Sequence, residues 1–99
     1  MGKAAISHIR LRKRLVQILK AHEGELPSAS ALYRMVIDSG MSPNLAGSHN
    51  RIAQICDKTK GIASLTTKVR SVSGDSYTAD VYYLESEEVF NEWVASKMG

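Results

Sequence analysis

The sequence predicts a mainly helical α+β domain, in which a group of helices leads into a small β-hairpin and a last helix. Three observations carry this. Apolar residues recur at helical spacing as far as Gly61. Beyond Gly61 the period drops to two. Within the helical part, Gly24, Leu26-Pro27-Ser28, Gly40 and Ser42-Pro43 are stop and start signals that cut it into three. With 99 residues the chain has room for one such domain and one modest core.

The first helix is predicted over residues 6–22. Leu11, Leu15, Ile18 and Leu19 form its core stripe, while Arg10, Lys13, Arg14, Gln17 and Lys20 fall on another face. Gly24 suits the left-handed conformation that ends a helix. Ser28 or Ser30 can cap the second helix, which runs to Ser39 with Leu32, Tyr33 and Val36 inward. Ser42 supplies an N-cap oxygen and Pro43 fits the first turn, where its missing N–H is not needed. From there one continuous third helix is predicted to Lys58, with Leu45, His49, Ile52 and Cys56 on its buried face and Gly61 closing it.

In the next segment Leu65, Thr67 and Val69 alternate with Thr66, Lys68 and Arg70. After the turn cluster Ser73-Gly74-Asp75-Ser76, the residues Tyr77, Ala79, Val81 and Tyr83 alternate with Thr78, Asp80 and Tyr82. Ser86 then caps a last helix whose Glu87 and Glu88 oppose the positive end of its dipole. Val89, Phe90, Trp93, Val94 and Met98 crowd its apolar face. Residues 1–84 thus read as the main domain and residues 85–99 as an added C-terminal helix.

Charge is distributed unevenly. The net charge is +3, but residues 1–70 carry a balance of +8 and residues 71–99 a balance of −5. A basic body with an acidic end is expected where one surface meets a polyanion and another does not. Cys56 is the single cysteine, which excludes an internal disulfide and fits a reducing compartment. Residues 1–5 are short and polar with no apolar run behind them, so a cytoplasmic location is expected.

Together these elements give the order helix, helix, tight turn, helix, hairpin, helix. Val36-Ile37-Asp38-Ser39-Gly40-Met41-Ser42 forms the turn with its glycine and following apolar residue. Arg51-Ile52-Ala53-Gln54-Ile55-Cys56 follows, and Gly61-Ile62 leads into the hairpin. On these residues the chain resembles the winged helix-turn-helix family over residues 12–84. The resemblance implies a three-helix body, a third helix that recognises DNA, and a two-stranded wing that touches phosphate or the minor groove.

The chemistry of the third helix agrees with that expectation. With Leu45 at the centre of the buried face, Gly47, Asn50, Arg51, Gln54 and Lys58 fall opposite. Asn and Gln pair with adenine edges and Arg with guanine, so Asn50, Arg51 and Gln54 are candidate base readers. Gly47 would let the backbone approach the groove. Candidate phosphate contacts are Ser42, Lys58, Lys60, Lys68, Arg70, Arg10 and Arg14, with Arg12 and Lys13 in the same first-helix cluster. The same residue types also suit an ordinary solvated face. Tyr77, Tyr82 and Tyr83 could stack single-stranded bases, but few cations stand beside them on the second strand, which favours packing onto the helices.

Sites for other chemistry do not assemble. His49 and Cys56 lie seven residues apart on one helical face, yet two ligands do not make a metal site, and a buried core pair is expected. His22-Glu23-Gly24-Glu25 lacks the second histidine of a zinc-peptidase helix, and neither a glycine-rich phosphate loop nor a serine elbow is present. The expectation is a binding protein, without catalysis, cofactor or metal. It would be a dimeric, sequence-specific regulator, with Val89, Phe90, Trp93, Val94, Ile6 and Ile9 available to a second copy. The alternative is an adaptor of the same fold in a nucleoprotein assembly such as a plasmid partition complex, or a protein or RNA interaction module.

Overall fold

A computed structural model describes residues 6–70 and 72–98, with the side chains of Val69 and Met98 excepted. The polar start at residues 1–5 and the apolar contribution of Met98 lie outside what is described. Five helices and one antiparallel hairpin follow in the order α1 (Ile9–Ala21), α2 (Ala29–Asp38), α3 (Pro43–Ala46), α4 (His49–Asp57), β1 (Ile62–Arg70), β2 (Ser76–Leu84) and α5 (Glu87–Met98).

The predicted caps form. The Oγ atoms of Ser28, Ser42 and Ser86 accept from the backbone N–H groups of Ala31, Leu45 and Val89 at 3.3, 3.3 and 3.1 Å. Each supplies a partner to one of the four N–H groups that a helix start leaves orphaned. Leu11, Leu15, Ile18 and Leu19 of α1 pack with Leu32 and Val36 of α2, Ala46 of α3, Ile52, Ile55 and Cys56 of α4, and Tyr82 of β2.

The expected continuous third helix is two helices. Gly47 ends α3 at φ 77° and ψ −103°, and Ser48 caps α4 anew, its Oγ accepting from the Arg51 N–H at 3.4 Å. The positive φ of the bend favours glycine, and a Cβ at residue 47 would lie 2.6 Å from Cδ of Arg51, so the arginine would have to swing aside. The break also rotates Leu45 off the buried face: its side chain is 41% exposed. His49 stands exposed at the start of α4 while Cys56 is buried, so the expected buried His49–Cys56 pair does not exist. Among the described residues no group of three metal-binding side chains occurs.

The hairpin has perfect antiparallel register from Ile62↔Leu84 to Arg70↔Ser76. Its base is buried on both faces, because Val81 and its neighbour Tyr82 are only 3% and 2% exposed. Pro27 and Ser28 lie along the free edge of β2: the Tyr82 N–H donates to the Pro27 carbonyl at 2.9 Å and Ser28 forms a bridge to Val81. The outer half leaves the body, with Tyr77 exposed, and contributes to the elongation of the molecule to 53 × 26 × 22 Å, while Leu65, opposite Val81, is exposed nearer the base. Gly61 joins this arm to α5 by accepting the backbone N–H groups of Glu85 and Ser86. No helix among the described residues is long and apolar enough to cross a membrane.

Helix α5 corrects part of the expected association surface. Phe90 is 3% exposed and packs at a tilt of 59° against Trp93, with ring centroids 6.3 Å apart. Ile6 is likewise buried. Both belong to the core of this chain and are not free for a second copy, since apolar surface already removed from water gains little from a new partner. Ile9, Trp93 and Val94 are half-buried, and Val89 is exposed.

Candidate nucleic-acid interface

On α4, the stripe Ile52, Ile55 and Cys56 faces the core and leaves His49, Asn50, Arg51, Gln54 and the cap residue Lys58 exposed. Three of the expected base readers, Asn50, Arg51 and Gln54, therefore share one solvent-facing row, spaced by one turn or less. Gly47 does not serve as the open backbone expected of it. The space beside it is taken by the side chain of Arg51.

An open groove of ≈ 370 Å³ runs between α1 and the α2–α3 turn. It is lined by Arg10, Lys13, Arg14 and Gln17 on one side and by Gly40, Met41, Ser42 and Leu45 on the other. The expected phosphate contacts Arg10, Arg14 and Ser42 meet here. Arg14 is anchored, its Nη1 donating to the Ser39 carbonyl at 2.9 Å and to Ser39 Oγ at 2.6 Å. These bonds place a cation at the carbonyl end of α2, where the helix dipole favours it.

On the hairpin, Lys68 and Arg70 are exposed and share a face, as their spacing of two requires. Asp80 lies on the same face, held by the Thr66 hydroxyl at 2.7 Å, so the positive part of the arm is its distal half. Lys58 and Lys60 are exposed at the junction of α4 with the arm. The expected cationic contacts Arg10, Arg14, Lys58, Lys60, Lys68 and Arg70 thus fall in three places, the α1 groove, the end of α4 and the outer arm, while Arg34 on α2 and Lys97 on α5 are exposed outside them.

Arg12 does not belong to this footprint. It is 4% exposed. Its Nε donates to the Ser7 carbonyl at 2.7 Å, and Nη1 donates to the Lys58 carbonyl at 2.8 Å and to Thr59 Oγ1 at 2.7 Å. Its guanidinium carbon stands 5.3 Å from the centre of the Trp93 ring. Sequence reasoning placed it with its basic neighbours, although it falls on the apolar stripe between Leu11 and Leu15. Burial lowers its pKa, with the nearby Cys56 acting in the opposite sense. The Cys56 thiol is in turn pushed up to about 12, first by burial and then by the charge of Asp57, so it is an inert core group and not a thiolate ligand.

The tyrosines divide as their positions dictate. Tyr82 is in the core, Tyr83 is half-buried at the hairpin base and Tyr77 is exposed on the arm. They do not form one stacking platform.

The chain matches no protein-family model, and neither a curated protein nor a solved structure matches it.

Proposed function

We propose that this protein is a winged helix-turn-helix protein that binds double-stranded DNA, with α4 in the major groove and the hairpin as wing. The observation that carries the reading is the exposed row Asn50, Arg51 and Gln54 on α4 in a chain whose α1 groove and outer arm also carry exposed cations. In this arrangement α2, the turn at Ser39–Ser42 and the bent α3–α4 unit form the helix-turn-helix. The strand-like pairing of Pro27 and Ser28 with β2 supports the winged form, because it ties the start of α2 to the base of the wing. Arg51 pairs with guanine, Asn50 and Gln54 with adenine. Arg10, Arg14, Ser42, Lys58, Lys60, Lys68 and Arg70 contact phosphate and set the register. The protein acts as a homodimeric transcriptional regulator in the cytoplasm, through binding alone, with no catalysis or cofactor.

The second reading is an adaptor in a nucleoprotein assembly. It draws on the face of the arm opposite Lys68 and Arg70, where Leu65 and Tyr77 are 41% and 54% exposed and could meet a protein partner.

The base-reading assignment is tested by equilibrium binding to the preferred duplex at fixed salt. Arg51→Ala should weaken binding by about 1–3 kcal/mol and relax specificity at one base pair, with Asn50→Ala and Gln54→Ala acting at neighbouring positions. Wild-type affinity in all three variants would remove α4 as the reader.

A further inference from the structure

We propose that Leu45 is a specificity-determining residue that reads the C5-methyl group of thymine. This rests on the DNA-binding reading above and adds to it a contact outside the polar row of α4.

Leu45 stands out by its surroundings. It is 41% exposed, although it sits beside buried core residues in sequence, Met41 at 8% and Ala46 at 0%. Its side chain opens into the groove lined by Arg10, Lys13, Arg14, Gln17 and Ser42. Such a groove does not suit a second copy of the same chain, since a two-fold contact there would set like charges against each other. Charge complementarity selects a polyanion. Most of what a nucleic-acid duplex offers is polar: phosphate, sugar hydroxyl or ring oxygen, and hydrogen-bonding base edges. The major groove adds one apolar feature, the methyl group of thymine, and aliphatic side chains are its natural partners. A leucine among three cations fits that combination.

The bend at Gly47 gives the contact its place. Because α3 ends there, Leu45 points independently of the α4 row. The side chain of Arg51 folds back over Gly47, two residues from Leu45. Leu45 and Arg51 therefore flank one bend, and they should address bases close together in the site, one by an apolar contact and one by hydrogen bonds.

The test uses the full chain and its preferred duplex, found by selection from random duplexes. Each thymine is replaced in turn by uracil, which removes the methyl group and leaves the pairing intact. Wild type should lose about three- to fivefold in affinity at one or two positions, the effect of one buried methyl. In Leu45→Ala the same replacements should have no further effect, whereas Arg51→Ala should keep the uracil sensitivity. If wild type binds every uracil duplex as tightly as the thymine duplex, or if the bases it protects contain no thymine, the assignment is wrong while DNA binding stands. If Leu45→Ala keeps the uracil effect, the methyl is read elsewhere. If no duplex is preferred at all, the assignment and the reading beneath it fail together.

Discussion

Among the described residues Arg12 is the charged side chain that is buried, at 4% exposure. Its hydrogen-bond partners among the described residues are all neutral oxygens, from the Ser7 and Lys58 carbonyls and the Ser7 and Thr59 hydroxyls. Taking a cation out of water is costly, and here the offset comes from those bonds, from the negative end of α4 and from the face of Trp93. One guanidinium thus ties the chain before α1 to the end of the proposed reading helix and to α5. Arg12→Met should destabilise the fold by about 3 kcal/mol, because it strands the buried acceptors it leaves behind. Arg12→Lys keeps the charge but not the planar fork, and should fall between Arg12→Met and wild type. Denaturant unfolding measures both, and equal stability of all three would show that the buried guanidinium is not a fastening. The position was legible in retrospect: a charge on an apolar helical stripe must be paired or capped. Reading Arg12 with Arg10, Lys13 and Arg14 as one cluster hid it, because adjacent residues on a helix point about 100° apart.

At the level of elements, stop and start chemistry was the dependable guide. Ser28, Ser42 and Ser86 cap as their sequence context indicates, and the alternation after Gly61 becomes the hairpin. The split of α3 from α4 was missed because Leu45, Ile52 and Cys56 satisfy one helical period across it. Gly47-Ser48 was the available signal, a helix stop followed at once by a capping serine. The apolar face of α5 could be seen in the sequence, but not how it divides. Phe90 goes inward and leaves Val89, at 44% exposure, with half-buried Trp93 and Val94 to cover a second copy. Trp93 is a poor probe of association because it also roofs Arg12. Val89→Glu is the better one. The variant should remain folded, sediment as a monomer, and bind an inverted repeat about tenfold or more weakly while binding a single half-site as wild type does. A wild type that is itself monomeric at the concentrations where it fills its site would contradict the dimer.

Across the whole molecule, charge and shape point the same way. The expected phosphate-contacting cations lie on α1, the end of α4 and the arm, with Arg34 on α2 and Lys97 on α5 exposed elsewhere, while Glu85, Glu87, Glu88 and Glu92 gather at the base of the hairpin and on α5, with Glu87 held by Lys20 at 2.9 Å. A dimer joined through the apolar patch Val89, Trp93 and Val94 of α5 would turn the acidic residues of that region away from phosphate, with the two α4 helices about 34 Å apart on successive major grooves. Selection from a random duplex pool, followed by titration of the winner at several salt concentrations, tests this most directly. The expected result is convergence on one inverted repeat, a preference of about a thousandfold or more over unrelated duplex, and affinity that falls steeply with salt as phosphate contacts are lost. A pool that never converges, or single-stranded RNA bound as tightly as any duplex, would contradict sequence-specific DNA recognition by this protein.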